Sequence, residues 1–249
     1  MKLDVVFSPR ELAAGEVAGR VVLVIDVLRA TTTICAALDH GARAVIVADD
    51  MSEAARLAQA LESSGVLLAG ERNSVRIPGF QLGNSPLEMT PERVQGKTLV
   101  MTTTNGTNAL LATAGAREVL VGAAVNLSAA GQRAHDALEE HGDLLILCAG
   151  REHSFALDDA YVAGCLAVRA LGGRRRRKGL NDSALVAVDL VSRYRDRTER
   201  VLALSRAGRE LAERGFRADV TAAAVIDAHP VLPVFHERRI AIAQSEAPA

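Results

Sequence analysis

Carboxylate, guanidinium and hydroxyl side chains collect at four places in the sequence, each directly after a short apolar run. Mg²⁺-assisted phosphoryl chemistry requires these groups, because carboxylate oxygens bind the hard cation and cationic side chains bind the phosphoryl oxygens. The four stretches are residues 26–33, 70–73, 101–107 and 148–159. Their recurrence after the same kind of element indicates one shared site, which a single polar turn would not.

Two of these stretches pair an acid with an arginine: Asp26 with Arg29, and Glu71 with Arg72. An unpaired carboxylate at the end of an apolar strand is costly, and Arg29 is within reach of Asp26 if the chain turns into a helix. A structural ion pair at the sheet edge would explain this spacing. A metal-binding carboxylate beside a phosphate-binding guanidinium would explain it too. The pairing alone leaves both interpretations open.

The stretch 101–107, MTTTNGT, offers many hydrogen-bond donors without any charge. A helical pattern follows over 108–114, and the backbone N–H groups and dipole of a helix N-terminus favour an anion such as phosphate. Gly106 would let the backbone approach that anion closely. An N-cap and a tight turn account for the same residues without any ligand.

Other phosphate and metal motifs are missing from the sequence. It has no GxxxxGK[ST] loop, no cysteine followed six residues later by arginine, and no HExxH pair. Asp158 and Asp159 add two acids in the expected first turn of a helix, where stabilisation of the helix dipole is an equal alternative. His40 follows the apolar residues 34–38 and is expected at the C-terminus of a helix.

The elements that must position these groups are short buried strands alternating with helices. Apolar residues recur at helical spacing within 54–61 and 130–138, whereas short runs rich in Val, Ile and Leu are typical of strands buried on both faces. This alternation predicts an α/β/α sandwich with a mainly parallel sheet, whose ligand site lies at the ends of the strands. The predicted strands are 21–25, 44–47, 66–69, 98–101, 119–121 and 144–147.

The composition indicates a soluble protein of the reducing cytoplasm. The chain has 249 residues, is 49% hydrophobic and carries a formal net charge of −1, which argues against electrostatic capture of nucleic acid or of an anionic membrane. No run approaches the roughly 20 apolar residues that a bilayer requires, and no N-terminal signal pattern is present. Three widely spaced cysteines predict neither a disulfide framework nor a CxxC metal site.

One α/β domain, 1–249, is expected, with a helical C-terminal part from about residue 180. Residues 231–235 and 240–243 are expected to form a late strand pair or an edge. The basic run Arg174–Lys178 is interpreted as a solvated loop rather than a nucleic-acid patch. A homodimer is the expected oligomer, because two-fold dimers are the commonest soluble assemblies.

Four segments resemble the 2-phosphosulfolactate phosphatase family, which is associated with coenzyme M biosynthesis. They are VIDVLRATTTI (24–34), GERNSVRIPGFQLGNSP (70–86), MTTTNGT (101–107) and CAG…FALDDAYVAG (148–164). The resemblance implies a Mg²⁺-dependent phosphatase that releases phosphate from 2-phospho-3-sulfolactate, on a three-layer α/β/α fold with a mixed sheet. The small substrate would carry carboxylate, sulfonate and phosphate, which suits a pocket rich in arginine and threonine.

The resemblance also implies a set of site residues, whose roles we infer. The expected catalytic residues are Asp26, Arg29, Glu71 and Arg72. The expected Mg²⁺ ligands are Asp26, Glu71, Asp158 and Asp159. The expected substrate contacts are Thr31, Thr32, Asn84, Ser85, Thr103, Thr104, Asn105, Gly106 and Thr107. Gln81 departs from the family, which often has an acid after Gly-Phe at this place.

Two other functions stay open on the sequence alone. A non-catalytic protein that binds small anions would use the same donors without turnover. A phosphatase of another phosphorylated hydroxy acid would share both the fold and the catalytic groups.

Overall fold

The computed structural model describes residues 1–61, 65–173 and 177–242. Strands and α-helices alternate along most of these ranges. The strands β1 to β10 are Lys2–Val6, Val21–Ile25, Ala44–Val47, Val66–Arg72, Val75–Arg76, Thr98–Thr102, Glu118–Gly122, Asp143–Cys148, Pro233–His236 and Arg239–Ile242. The helices α1 to α10 are Ala30–Asp39, Met51–Ala60, Pro91–Val94, Gly106–Leu111, Leu127–His141, Leu157–Ala170, Asp182–Tyr194, Thr198–Leu204, Arg206–Glu213 and Arg217–Ala223.

The strands form one mixed sheet in the order β1-β8-β2-β7-β9-β10-β3-β6-β4-β5. Two groups of parallel strands, β1-β8-β2-β7 and β3-β6-β4, make up most of it. The hairpin of β9 and β10 lies between these groups and is antiparallel to β7 and to β3. Three antiparallel steps separate β7 from β3, so the two groups run in opposite directions and carboxyl ends share an edge of the sheet only within each group. Gly106, just after β6, nevertheless lies against Asp26 at the end of β2, so segments that follow strands of both groups meet.

Alternate side chains of the central strands enter two separate cores, one on each face of the sheet. All five residues of β2 are buried: Leu23 packs with residues of α5, α6 and α7, and Val24 packs on the opposite face with residues of α1 and α4. Burial on both faces explains why this strand reads as an unbroken apolar run. The predicted three-layer α/β/α sandwich with a mainly parallel, mixed sheet is confirmed.

The six predicted strands are present; four of them, β4, β6, β7 and β8, are longer than predicted, and β4 extends the furthest. β4 continues through Gly70 to Arg72, because it forms a hairpin with β5 in which Glu71 lies opposite Arg76. β1 pairs in parallel with β8, in an N-terminal stretch for which the sequence analysis predicts no element. The acid–arginine pair of the second stretch thus lies on a strand end and not in a loop.

The late strand pair is present as β9 and β10, and it lies inside the sheet. Ile240 of β10 is fully buried and pairs with Val45 of β3; residue 243, the last of the predicted pair, lies outside the described residues. The helical C-terminal part is present as α7 to α10. The position of the β9–β10 hairpin in the sheet makes this hairpin the connection between the two parallel groups.

Two further predictions concern the surface and the domain organisation. Residues 174–176 of the basic run lie outside the described ranges, and Arg177 is exposed and forms an ion pair of 3.0 Å with Asp189. Within the described ranges, every helix is too short or too polar to cross a bilayer. The assignment of 1–249 to one domain stays a prediction.

Candidate active site

A small cavity of about 130 Å³ lies where the segments that follow β2, β4, β6 and β8 meet. It is mostly polar, and all four stretches that the sequence analysis singles out contribute to its lining. The fourth stretch contributes Arg151 and Glu152. The predicted site residues that line it are Asp26, Arg29, Glu71, Asn84, Thr103, Thr104 and Asn105. Thr31, Thr32, Arg72, Ser85, Gly106, Thr107, Asp158 and Asp159 lie outside this lining, and the contacts below show where each one acts.

The first turn of α1 holds Asp26 at the end of β2. Thr31 Oγ1 donates to the Asp26 carbonyl at 2.8 Å and accepts from the Asp26 N–H at 3.1 Å. Thr32 Oγ1 donates to the carbonyl of Val27 at 2.8 Å, and the Ala30 N–H donates to Asp26 Oδ1 at 3.3 Å. Both threonines are buried. Their hydroxyls fix the strand-to-helix turn, so the Asp26 carboxylate is held facing the cavity.

Arg29 is buried in a network that reaches the last helix. Its NH1 donates to Asp219 Oδ2 at 2.7 Å, its NH2 donates to the Ser74 carbonyl at 2.8 Å, and its guanidinium lies 4.6 Å from the centre of the Phe216 ring. Ser85 Oγ donates to the other oxygen of Asp219, Oδ1, at 2.8 Å. Ser85, expected to contact substrate, therefore acts on the acid that orients Arg29.

Glu71 joins two loops of the cavity wall. Its Oε1 accepts from the N–H and from the hydroxyl of Thr104, at 2.9 and 2.8 Å, and its Oε2 accepts from the Ser74 N–H at 2.7 Å. Arg72 turns away from the cavity, since its NH1 donates to the Glu71 carbonyl and its NH2 donates to Thr102 Oγ1. Glu71 thus shapes the wall of the cavity, while Arg72 supports the strand end behind it.

The threonines of the MTTTNGT stretch mainly build their own turn. The N–H of Thr103 donates to Thr107 Oγ1, the N–H of Thr107 donates to Thr103 Oγ1, and the two hydroxyls lie 3.2 Å apart. The hydroxyls of Thr102 and Thr104 have their own partners, Arg72 and Glu71. All four hydroxyls therefore have protein partners, which accounts for the number of threonines without requiring each of them to bind a ligand.

The close approach of α4 to α1 depends on Gly106. A Cβ atom built on Gly106 would lie 2.6 Å from the Ala30 Cβ and 2.8 Å from Asp26 Oδ2. No side chain fits at these separations. The absence of a side chain at Gly106 therefore lets the turn after β6 lie against the Asp26 carboxylate. This role is separate from the contact with an anion that the sequence predicts for the same glycine.

The two acids at the start of α6 have different surroundings. Asp159 accepts from the Val27 N–H through Oδ1 at 2.9 Å and from the Gly150 N–H through Oδ2 at 3.0 Å. It thereby joins the chain after β2 to the chain after β8. Asp158 Oδ1 is buried and has no hydrogen-bond partner in the part of the chain that the structure describes, and Asp158 lines a neighbouring depression of about 320 Å³. Asp158 therefore has an oxygen available for a ligand.

The acids influence one another because they are buried close together. Burial, together with the nearby carboxylates of Asp158 and Glu71, raises the pKa of Asp26 to about 7, against the opposing effects of the Ala30 N–H and of Arg29. Burial likewise raises the pKa of Asp158 to about 6. The pKa of Asp159 is also raised, first by burial and then by Asp158 and Asp26. Several like charges in one buried place form a site that a cation would stabilise.

Among the four predicted acids, Asp26 and Asp158 keep carboxylate oxygens that the chain's own hydrogen bonds do not occupy. Both oxygens of Asp159 and both oxygens of Glu71 already accept hydrogen bonds from the chain. Among the described residues, the four acids do not form a group of three or more whose ligand atoms lie within 4.8 Å of one another. A different group does so, and it consists of Asp39, His40 and His229.

Comparison with known protein families identifies the family of the chain. A family model described as 2-phosphosulpholactate phosphatase matches residues 6–238. The chain belongs to this family. The resemblance seen in the four sequence segments is confirmed.

Curated members of the 2-phosphosulfolactate phosphatase family are similar over almost the whole chain. The protein from Symbiobacterium thermophilum, named "Probable 2-phosphosulfolactate phosphatase", is 41% identical over 229 residues, which is 92% of this chain and 97% of the relative. One from Carboxydothermus hydrogenoformans, with the same name, is 36% identical over 98% of both chains. One from Thermotoga maritima is 36% identical over 93% of this chain and 94% of the relative.

The structure of this family member adds residues that sequence reasoning missed. Arg151 lines both the cavity and the neighbouring depression, and its NH2 donates to Glu210. Its Nε is buried and has no partner within residues 1–61, 65–173 and 177–242. Its position directly after β8 was the available signal. Asp219 and Ser74 had no such signal, because Asp219 lies on a helix far from any strand end and Ser74 acts through its backbone.

Gln81, the departure from the family pattern, lies outside the cavity lining. Its Oε1 accepts from the Leu68 N–H of β4 at 2.8 Å, and its backbone carbonyl accepts from Arg93. The amide therefore supports the edge of the sheet. The change from an acid alters none of the cavity contacts described above.

Proposed function

We propose that the protein hydrolyses the phosphate ester of 2-phosphosulfolactate, giving sulfolactate and inorganic phosphate, with Mg²⁺ as cofactor. The observation that carries the proposal is family membership over nearly the whole chain, together with a cavity in which two arginines face buried carboxylates. The cavity is polar and small, which suits a compact polyanion better than a large apolar ligand.

Arg29 and Arg151 are the proposed anion-binding side chains. A guanidinium has five N–H donors, and Arg29 uses its NH1 and NH2 atoms on Asp219 and Ser74. The Nε of Arg151 has no partner among the residues that the structure describes. Donors therefore remain on both side chains for phosphate, sulfonate or carboxylate oxygens, and their fixed positions avoid the entropy of ordering a free side chain.

Asp26 and Asp158 are the proposed Mg²⁺ ligands. Carboxylate oxygens are the ligands that Mg²⁺ prefers, and the ion usually keeps several waters beside one or two protein carboxylates. When bound, Mg²⁺ would lower the negative charge of the phosphoryl group that a nucleophile must approach.

Hydrolysis forms a bond from a water oxygen to phosphorus and breaks the bond from phosphorus to the ester oxygen, which leaves as a hydroxyl because it takes up the proton that the attacking water loses. Asn84 Oδ1 is buried at the cavity and has no partner among the described residues, so it offers an acceptor that can orient the attacking water. Arg29 and Arg151 stabilise the charge on the phosphoryl oxygens as it redistributes. Glu71 keeps the Thr104 and Ser74 loops in place while these steps occur.

Phosphate release from 2-phosphosulfolactate tests the proposal. We expect release in the presence of Mg²⁺ and loss of release in excess EDTA, recovered when Mg²⁺ is added back. A panel of phosphorylated hydroxy acids without the sulfonate, measured alongside, reports the substrate range.

The outcomes of this test separate the alternatives. Faster turnover of a panel compound than of 2-phosphosulfolactate would transfer the proposal to that substrate. Thermal stabilisation by these compounds without turnover of any of them would contradict the phosphatase and support a protein that binds small anions.

A further inference from the structure

Two histidines and an aspartate meet at the C-terminal end of α1. Each of Asp39, His40 and His229 places a ligand atom within 4.8 Å of the other two. The rings of His40 and His229 meet edge to face, with centroids 5.1 Å apart. Asp39 and His229 are 190 positions apart in the sequence, so the fold brings this group together.

Hydrogen bonds fix both imidazole rings. His40 Nδ1 bonds to the Met89 carbonyl, and an imidazole that donates Nδ1–H to a carbonyl keeps its Nε2 lone pair for a metal. His229 Nδ1 lies 2.8 Å from Asp39 Oδ2. Since Zn–N and Zn–O bonds are about 2.0 Å long, a single ion can bond to two atoms at this separation.

The backbone that carries the ligands is also held in place. The His229 N–H donates to the Val125 carbonyl at 2.8 Å, and Asn126 Nδ2 donates to the Val231 carbonyl at 3.0 Å. His40 is the C-cap residue of α1. The ligand positions therefore belong to ordered parts of the fold and would need little rearrangement to bind an ion.

The chemistry of this group differs from that of the candidate active site. Imidazole nitrogen is a ligand for Zn²⁺ and similar transition metals, whereas Mg²⁺ prefers oxygen ligands. The Asp39 side chain is 31% exposed and that of His229 is 19% exposed, which leaves access for a water as a further ligand. The ten residues of α1 separate this group from the Asp26 end by about 15 Å.

We propose that Asp39, His40 and His229 bind a divalent transition-metal ion of the Zn²⁺ class at a structural site separate from the candidate active site. The ion ties the segment between α10 and β9 to the end of α1. Since an ion that binds only the folded chain stabilises it by mass action, metal binding raises the melting temperature.

Spectroscopic titration with Co²⁺, a visible probe for a Zn²⁺ site, tests the inference. Chelator-stripped protein is expected to give d–d absorption that saturates with Co²⁺ and is displaced by Zn²⁺. His229→Gln and His40→Gln are expected to weaken Zn²⁺ binding by roughly tenfold or more, the scale of losing even a supporting contact to a ligand. His236→Gln, at an exposed histidine of β9, is the matched control and should bind like the parent.

Phosphate release with Mg²⁺ is measured for each variant as well. Turnover by a variant shows that it is folded, and the Co²⁺ absorption then reports the proposed metal site separately from the proposed function. Retained turnover with lost Co²⁺ absorption in His229→Gln and His40→Gln supports the site. Absence of Co²⁺ absorption in the parent, or equal Zn²⁺ affinity in the parent and both variants, overturns it. A parent that binds Co²⁺ but has no turnover would contradict only the proposed function.

Discussion

Asp219 acts on the candidate site through Arg29. Their ion pair is buried on both sides, with side-chain exposures of 3%, and Ser85 bonds to the other oxygen of the same carboxylate. An arginine that is free to rotate could not hold a phosphoryl group in one orientation, and small misplacements in an active site lower rates strongly. The acid is thus a positioning residue whose effect reaches the substrate through the guanidinium.

Asp219→Asn should therefore lower both stability and turnover. Removal of the charge leaves Arg29 buried without its ion-pair partner, which costs about 3 kcal/mol. We expect this loss in urea unfolding, together with a fall in kcat/KM for phosphate release. Asp189→Asn, which affects a surface ion pair, is the control and should change stability by less than about 1 kcal/mol. Equal effects of the two substitutions would argue against the buried pair.

The raised acid pKa values make the metal-free protein sensitive to pH. The pKa of Asp26 rises from 3.8 to about 7 and that of Asp158 to about 6, chiefly because both are buried. Between these values and 3.8 the folded state holds more protons than the unfolded state, so stability falls as the pH rises. In EDTA, the free energy of unfolding should be higher at about pH 6 than at about pH 8.

Urea unfolding at the two pH values measures this difference. Asp26→Asn should reduce the pH dependence, because it removes the group with the pKa of about 7, whereas Asp189→Asn should leave it unchanged. A metal-free parent that gains stability as the pH rises would contradict the assignment of these acids as buried and mutually repelling.

At the scale of elements, the candidate site is a set of strand-to-helix turns locked together by side chains. Glu71 joins the end of β4 to the turn after β6, and Asp159 joins the chain after β2 to the chain after β8. Each turn is short, so its own hydrogen bonds fix few dihedral angles. The cross-links between turns therefore decide the shape of the cavity.

Gly106→Ala tests the contact between α4 and α1. The added methyl would meet Ala30 and the Asp26 carboxylate at 2.6 and 2.8 Å, and overpacking of this kind costs about 1–3 kcal/mol. We expect lower thermal stability and a loss of phosphate release, because Asp26 must move. Asn108→Ala, on the exposed face of the same short helix, is the control. Unchanged turnover in Gly106→Ala would show that the two elements have room to separate.

At the scale of the whole molecule, the C-terminal hairpin unites the sheet. β9 pairs with β7 of one parallel group and β10 pairs with β3 of the other. Without the hairpin these two strands would present unpaired edges to each other. The last part of the chain is therefore required before the first two-thirds can form one continuous sheet.

Two isoleucines of β10 allow a matched test of this role. Ile240 is fully buried between the parallel groups, whereas Ile242 is 44% exposed. Ile240→Ala should lower the free energy of unfolding by about 2–5 kcal/mol, and Ile242→Ala should lower it by much less, because only the first leaves a cavity. Urea unfolding measures both. Similar losses for the two variants would contradict the central position of the hairpin.

The amino-acid sequence by itself determined the layers of the fold, the strand ends that carry polar groups and the family. These features are local: a strand buried on both faces must be apolar at successive positions, as β2 is, and a tight strand-to-helix turn needs residues such as Thr31 or Gly106. The start of α6 near Asp158 and Asp159 and the end of α1 at His40 followed from the same kind of local pattern.

Only the tertiary structure decided which distant residues meet. Arg29 and Asp219 are 190 positions apart, and so are Asp39 and His229. The central place of β9 and β10 and the outward turn of Arg72 also had no local signal. Such contacts arise because the whole chain buries its apolar faces at once, and the free energy of that packing depends on segments far apart in sequence.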